Sequence, residues 1–406
     1  MVRPRPPRRI ARCRFGSGHG KKSFYSAHRF YDTIFSVLRA GRASNRNRND
    51  VEGGAIMAER KNAGLDLSRR VLMRGGAAAG AGLVLGGGLL GFGPARAAGP
   101  TVVNMQLGWL ESGDQLGEIA AKRLGYFADE GLELKIQPGG PNTDGVAIVA
   151  SGRCELGQIS SSPSLMLAAS EDIPVRCFAV GKQQHPYAFF SLPKNPVRKP
   201  ADFRGKRVGI QATGVILLRA LLVKNGMDLK DVEVVNIGFT MTPLMTGQVD
   251  VVTGWVTSVT ALKVLPPDYV TLRLWDAGVK LYAHPYYATS ETLKTKKALL
   301  ERFVRAAARG WGYAYKNPDK AVDLLVQELP NLVAADERKG AEIALKYEFD
   351  AETKKHGWGA MDPKIWQDQI DLYAKLGQFT KRTPKLHEVM TLEILKATEK
   401  SRPHFG

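Results

Sequence analysis

One aromatic and two acidic residues directly follow the first strand predicted in the globular part of the chain. The strand is predicted over Val102–Leu107, because apolar and polar residues alternate there. Trp109, Glu111 and Asp114 come next. If they face a cleft, the indole can stack on a planar molecule, and the carboxylates disfavour a fully anionic one. Ordinary packing of the tryptophan and a solvated acidic loop are the alternatives.

A run of three hydroxyls separates a predicted strand from a predicted helix. Ser160, Ser161 and Ser162 lie between the strand Leu156–Ser160 and the helix Pro163–Ala169. Hydroxyls and N–H groups at the start of a helix suit polar or anionic atoms of a ligand. Plain N-capping is the alternative, but it needs only one serine.

The second half of the chain offers fewer candidate contacts. Thr213 lies in the equivalent strand-to-helix turn, Gln211–Gly214, which lacks a run of hydroxyls. Trp255 ends a later predicted strand and offers a second aromatic wall. Gln184 and Tyr286 lie near the two predicted crossings between lobes, where hinge and packing roles compete with ligand contact.

Motifs for catalysis and for metal binding are missing from the sequence. It contains no nucleophile elbow, no phosphate-binding loop and no Cys/His spacing typical of a metal site. We therefore predict no catalytic residue, no metal ligand and no cofactor. Since an isolated carboxylate pair can still catalyse, an enzyme stays open as an alternative.

The elements that position these residues form two α/β units. Strand-like and helix-like stretches alternate from Val102 to Leu192, which predicts a mostly parallel sheet with helices on both faces. The pattern restarts after Lys199-Pro200 and runs for roughly 85 residues. Beyond Tyr287 the chain is predicted to be helical, over Lys297–Lys316, Pro318–Glu328, Ala335–Phe349, Lys364–Leu376 and Glu388–Lys396.

This order predicts two lobes joined by two crossings of the chain. Lobe 1 is predicted to comprise residues 98–192 and 288–400, and lobe 2 residues 193–287. Ligands of such folds bind beyond the carboxyl ends of the strands, so the cleft between the lobes is the expected site.

The net charge of +19 is concentrated near the N-terminus. Residues 1–97 hold 19 Lys and Arg against 5 Asp and Glu, whereas residues 98–406 hold 39 against 34. The globular part therefore carries no sign of nucleic-acid binding. Residues 1–56 are interpreted as disordered, or as sequence upstream of a true start at Met57; a basic arm for anionic surfaces is the alternative.

Residues 57–97 are predicted to be an export signal. Ser68–Met73 resembles the twin-arginine motif, an apolar run covers Gly75–Phe92, and Pro94–Ala97 carries an A-x-A cleavage pattern. A membrane anchor is the alternative to cleavage. The signal implies a bacterial cell envelope and a periplasmic location. Cys154 and Cys177 could pair in that oxidising compartment, but the sequence alone does not show that they approach each other.

Four motifs follow one another along the chain, namely Gly125–Leu134 (GYFADEGLEL), Ser151–Gly157 (SGRCELG), Asp202–Gly209 (DFRGKRVG) and Gly247–Val252 (GQVDVV). In this order they resemble one family of importer-associated binding proteins, those for nitrate, sulfonates, taurine and the thiamine pyrimidine precursor. Cys154 and Glu155 depart from the second motif. The resemblance covers nearly all of residues 101–400.

The resemblance implies a type II periplasmic-binding fold that closes on one small ligand and delivers it to an ABC permease and its ATPase. The aromatic and amide side chains suit a flat nitrogen heterocycle such as a thiamine pyrimidine precursor, while a sulfonate or nitrate ligand stays open. A pyrimidine-forming enzyme of the same fold and a ligand-sensing partner of a membrane receptor are the other classes. The related synthases carry a Cys-rich motif, which this chain lacks.

Overall fold

A computed structural model describes residues 99–140, 143–238 and 240–406. The segments predicted as disordered (1–56) and as a signal peptide (57–97) lie outside these residues, and both stay predictions. None of the helices in the described residues combines the length and the hydropathy that a bilayer span requires.

Ten strands form in the described residues, where short apolar stretches alternate with turns. In chain order they are β1 (Thr101–Leu107), β2 (Leu132–Gln137), β3 (Leu156–Gln158), β4 (Val175–Lys182), β5 (Tyr187–Ser191), β6 (Arg207–Ile210), β7 (Glu233–Asn236), β8 (Val251–Trp255), β9 (Val270–Arg273) and β10 (Ala283–Thr289).

The same residues form fifteen α-helices, some of a single turn. They are α1 (Leu116–Arg123), α2 (Tyr126–Asp129), α3 (Gly145–Ala150), α4 (Pro163–Ser170), α5 (Val215–Lys224), α6 (Thr242–Met245), α7 (Val259–Leu262), α8 (Ser290–Thr295), α9 (Lys297–Lys316), α10 (Pro318–Glu328), α11 (Ala334–Glu348), α12 (Ala351–His356), α13 (Pro363–Lys375), α14 (Leu386–Val389) and α15 (Glu393–Ala397). Short 3₁₀ turns include Gly113–Gln115 and Ala212–Gly214.

The strands form two five-stranded sheets of matching design, with the orders β2-β1-β3-β10-β4 and β7-β6-β8-β5-β9. In each sheet three neighbouring strands run parallel, and the fourth position holds an antiparallel strand. Each α/β unit therefore has its own sheet, as predicted, and four of its five strands run in the same direction, so each sheet is mostly parallel with one antiparallel strand.

The two crossings lie earlier than the predicted lobe limits of 192/193 and 287/288. The strand β5 (Tyr187–Ser191) belongs to the second sheet, and β10 (Ala283–Thr289) belongs to the first. The chain thus crosses at residues 183–186 and at 274–282. Both strands are buried throughout, so their sequences show no alternation that would reveal which sheet they join.

A close helix crossing builds the part of lobe 1 that borders the site. Helix α9 packs along α1, and a β-carbon at Gly117 would collide with the indole of Trp311. A β-carbon at Gly310 would collide with the carbonyl oxygen of Gly117. The two glycines therefore let the helices approach closely, which places Trp311 and Glu118 beneath the end of the first sheet.

Cys154 and Cys177 are both buried and free, so they form no disulfide. The Cys177 Sγ atom instead lies 3.4 Å from the sulfur of Met361.

Candidate functional site

A buried lysine ends β4, at the point where the chain leaves the first sheet for the second. The Nζ atom of Lys182 lies 3.4 Å from Asp114 Oδ1 and 3.9 Å from Glu348 Oε1. The lysine side chain is fully buried, whereas that of Asp114 is about a quarter exposed (26%). Burial opposes the positive charge, but the attraction of Glu348 and Asp114 outweighs it and raises the pKa of Lys182.

Two further carboxyls stand behind this ion pair. Burial raises the pKa of Glu118 to about 7 and holds the pKa of Glu348 well above the usual range, despite the attraction of Lys182. We therefore assign Asp114, the carboxyl that solvent partly reaches, as the charged partner of Lys182. Glu118 accepts hydrogen bonds from Gln158 Nε2 (3.3 Å) and from the hydroxyl of Tyr286.

Several buried polar atoms of this cluster have no hydrogen-bond partner in the described part of the chain. They include both carboxyl oxygens of Glu348 and Nδ1 of His284. Leaving such groups unpaired costs roughly 1–3 kcal/mol each, so evolution keeps them mainly where function requires them. The cluster is therefore a candidate site rather than ordinary core.

Two histidines and a tryptophan form an aromatic wall between the sheets. His185 lies on the first crossing, His284 is the second residue of β10, and Trp255 ends β8 of the second sheet. The Trp255 ring lies 5.3 Å from the His185 ring and 5.2 Å from the His284 ring, measured between centroids. Residues from both lobes therefore meet at this wall, and an aromatic surface of this kind stacks on planar rings.

Both histidines are neutral at physiological pH. Burial, helped by the nearby positive charge of Lys182, lowers the pKa of His185 and of His284 to about 3. His284 also has a left-handed backbone (φ 51°), which is strained for a residue with a side chain. Strain of this kind clusters at functional sites. The His284 Nε2 atom lies 3.9 Å from Asp114 Oδ2, which joins the aromatic wall to the charged cluster.

The structure brings three of the predicted site residues to this cluster, namely Asp114, Ser161 and Trp255. The Ser161 Oγ atom lies 2.6 Å from His185 Nε2. Ser160 contributes its carbonyl oxygen, which accepts from the His284 N–H at 3.4 Å.

Four of the predicted contact residues are not part of this cluster. Gln184 is half-buried on the first crossing, and Trp109 is half-buried in the loop after β1. Thr213 is exposed in the turn after β6. Glu111 faces away from the cluster, since its charged neighbours are Lys122 and Glu328, although burial raises its pKa.

Two predicted contacts lie inside lobe 1 and not in the cleft. Tyr286 is completely buried, with its ring against Phe178 and Trp358. Ser162 is also completely buried, and its hydroxyl donates to Gln369 Oε1 at 2.6 Å. Each residue adjoins the site in sequence, but the side chain of each turns into the core.

The sequence analysis missed Lys182, Glu348 and Glu118 as site residues. A lysine at the end of the apolar strand Val175–Lys182 was the one available signal, because lysine is rarely buried without a charged partner. Glu118 and Glu348 lie in amphipathic helices, where a glutamate looks solvent-exposed.

One C-terminal helix joins the two lobes beside the site. Asp336 of α11 accepts from Thr260 Oγ1 at 2.9 Å and forms an ion pair with Lys263, both from lobe 2. Farther along α11, the hydroxyl of Tyr347 accepts from Arg273 Nη1 of β9 at 3.3 Å. Residues 336 and 347 are eleven apart, or about three helical turns, so they lie on one face.

Two surface cavities, of about 360 and 480 Å³, lie beside Arg402 and beside Met390 and contain none of the clustered groups. We place the candidate site by its chemistry instead, at the wall between the sheets. The described residues hold no group of three or more His, Cys, Asp or Glu side chains arranged for a metal ion.

The fold is that of periplasmic binding proteins. The alkanesulfonate-binding protein SsuA from Xanthomonas axonopodis pv. citri, solved with MOPS bound, superimposes with a TM-score of 0.55 at 14% identity. The match covers 73% of this chain and all of that one (100%). At this identity, the comparison establishes the fold alone.

Sequence comparison defines the family. Residues 113–321 match the model of the NMT1/THI5-like family, and since this is more than half of the chain, the protein belongs to that family. It is 29% identical over 301 residues to the riboflavin-binding protein RibY of Chloroflexus aurantiacus, which covers 67% of this chain and 81% of the relative. It is 27% identical over 277 residues to the formylaminopyrimidine-binding protein of Halalkalibacterium halodurans (66% and 83% covered).

Proposed function

We propose that the protein is an extracytoplasmic solute-binding protein that delivers a planar nitrogen heterocycle, such as a thiamine pyrimidine precursor, to an ABC importer. The observation that supports this most is the aromatic wall of His185, Trp255 and His284, which draws on both lobes and abuts Asp114. A planar ring stacked there would touch both lobes. Its binding energy would then favour the closed arrangement that a permease recognises.

The charges of the site favour this ligand class over an anion. Lys182 is the cation of the cluster, and Asp114 already pairs with it, while the two histidines are neutral. A sulfonate or nitrate ion would approach Asp114 without a free cation to compensate. A heterocycle also agrees with the relatives at 29% and 27% identity, which are a riboflavin-binding protein and a formylaminopyrimidine-binding protein.

We also propose that the protein acts in the periplasm and that it binds its ligand without converting it. Residues 57–97 would direct export to the periplasm by the twin-arginine route, and the two lobes, joined by the crossings at residues 183–186 and 274–282, would close on the ligand there. The partners would be a membrane permease and its ATPase.

Isothermal titration calorimetry of the purified protein tests the ligand class. The panel contains 4-amino-5-hydroxymethyl-2-methylpyrimidine, its formylaminopyrimidine precursor, riboflavin, taurine, MOPS and nitrate. We expect saturable binding of at least one heterocycle, with the ligand recovered unchanged after incubation. Binding of taurine, MOPS or nitrate alone would contradict the heterocycle, and conversion of the ligand would favour an enzyme.

A further inference from the structure

The hydrogen bonds of His185 fix which of its ring nitrogens carries the proton. The Nδ1 atom accepts from the backbone N–H of Tyr187 at 3.2 Å, so it carries no hydrogen. Because burial keeps His185 neutral, with a pKa lowered to about 3, the ring has one proton, which must be on Nε2. The Nε2–H group therefore donates to Ser161 Oγ, at 2.6 Å.

This bond determines that the Ser161 hydroxyl can act as a hydrogen-bond donor to a further group. Since the oxygen accepts from His185, the hydroxyl hydrogen must point to another acceptor, and no described residue is hydrogen-bonded to it. Ser161 is half-buried beside the wall formed by His185 and Trp255. It therefore offers a donor to whatever stacks on that wall.

Asp114 offers the opposite polarity at the His284 end of the same wall. Its Oδ1 atom faces Lys182 at 3.4 Å, while Oδ2 faces His284 Nε2 at 3.9 Å, which is too long for a direct hydrogen bond. A carboxylate is an acceptor, and about a quarter of this side chain (26%) is exposed. Oδ2 is thus available to a donor group of a ligand.

We propose that the ligand presents a donor–acceptor edge, with an N–H group for Asp114 and a ring nitrogen or carbonyl oxygen for the hydroxyl of Ser161. This inference deepens the proposed function and rests on it. The amidine edge of an aminopyrimidine and the imide edge of a flavin have this arrangement. A sulfonate group or a nitrate ion offers acceptors alone and would leave Asp114 unsatisfied.

Matched ligand pairs test the donor half of the inference by calorimetry on the full-length protein. One pair is 4-amino-5-hydroxymethyl-2-methylpyrimidine and its 4-dimethylamino analogue; the other is riboflavin and 3-methylriboflavin. In each pair, methylation removes the N–H donor and keeps the ring. We expect methylation to weaken binding roughly tenfold or more in whichever pair binds, and Asp114→Ala to abolish most of that difference.

Two serine variants test the acceptor half. We expect Ser161→Ala to weaken binding of the parent heterocycle roughly tenfold, whereas Ser164→Ala, one helical turn along the chain, should change it little. Circular dichroism confirms that both variants are folded. Equal affinities for methylated and parent ligands, or equal effects of the two serine variants, would overturn the inference and leave the proposed function standing. If no heterocycle binds wild-type protein, the proposed function itself fails.

Discussion

Replacing His284 should reduce the loss in the free energy of unfolding that acid causes. Burial lowers the pKa of His284 to about 3 in the folded state, whereas the unfolded chain has the ordinary value of 6.5. Between these two pKa values, the unfolded state therefore binds a proton at His284, whereas the folded state does not. The stability contributed by neutral His284 is fully present above pH 6.5 and is lost as the pH falls towards 3.

The magnitude follows from the two pKa values. Between pH 7.5 and pH 5.5, one such histidine lowers the free energy of unfolding by about 1.4 kcal/mol. His185 has the same lowered pKa, so the pair should contribute a loss of about 2.7 kcal/mol in the wild type. His284→Asn should lose about 1.4 kcal/mol less than the wild type over that interval, because asparagine does not titrate and tolerates the left-handed backbone, while the other titrating groups are shared.

Urea unfolding of both proteins at pH 7.5, 6.5 and 5.5, followed by circular dichroism, measures this difference. His387→Gln is the matched control, since His387 is exposed. It should lose as much stability with acid as the wild type does. Equal losses in wild type and His284→Asn would refute the assignment of His284 as a buried, neutral side chain.

Three other changes have expected outcomes. Lys182→Met leaves the partly buried carboxylate of Asp114 without its cation, so urea unfolding should show a loss of about 3 kcal/mol, whereas exposed Lys364→Met should change stability little. Gly310→Ala forces α9 away from the carbonyl of Gly117 and should cost about 1–3 kcal/mol; a value near zero would contradict the close helix approach. Asp336→Ala removes the contacts of α11 with Thr260 and Lys263 of lobe 2, so small-angle scattering should show a more open protein and calorimetry a weaker ligand affinity; an unchanged scattering curve with unchanged affinity would count against that role.

Sequence periodicity predicted most of the elements and the two-lobed fold. The predicted helices Lys297–Lys316 and Pro318–Glu328 have the observed bounds. The helix predicted over Glu388–Lys396 breaks instead into α14 and α15, because the chain pairs with β4 between them, where Thr391 N donates to the Cys177 carbonyl at 2.9 Å. Such long-range pairing is invisible to local periodicity.

The candidate site was partly predictable because some of its residues follow strands directly. Asp114, Ser161 and Trp255 were chosen on that basis, and the structure brings them to the cluster with His185 and His284. Their contact with a ligand stays a prediction. The crossing limits were wrong, since a fully buried strand such as β5 fits either sheet. The charged cluster was missed because Lys182, Glu118 and Glu348 come from distant parts of the chain, and only the folded core makes them neighbours.

The most direct test of the account is the heterocycle affinity of Trp255→Ala, measured by calorimetry beside the wild type and Trp275→Ala. Trp275 is a half-buried tryptophan that faces Lys280 instead of the histidine wall, so it serves as the matched control. We predict that Trp255→Ala weakens binding roughly tenfold or more, while Trp275→Ala leaves it within about twofold of wild type. Full affinity in folded Trp255→Ala would show that the ligand binds elsewhere and would contradict the proposed site.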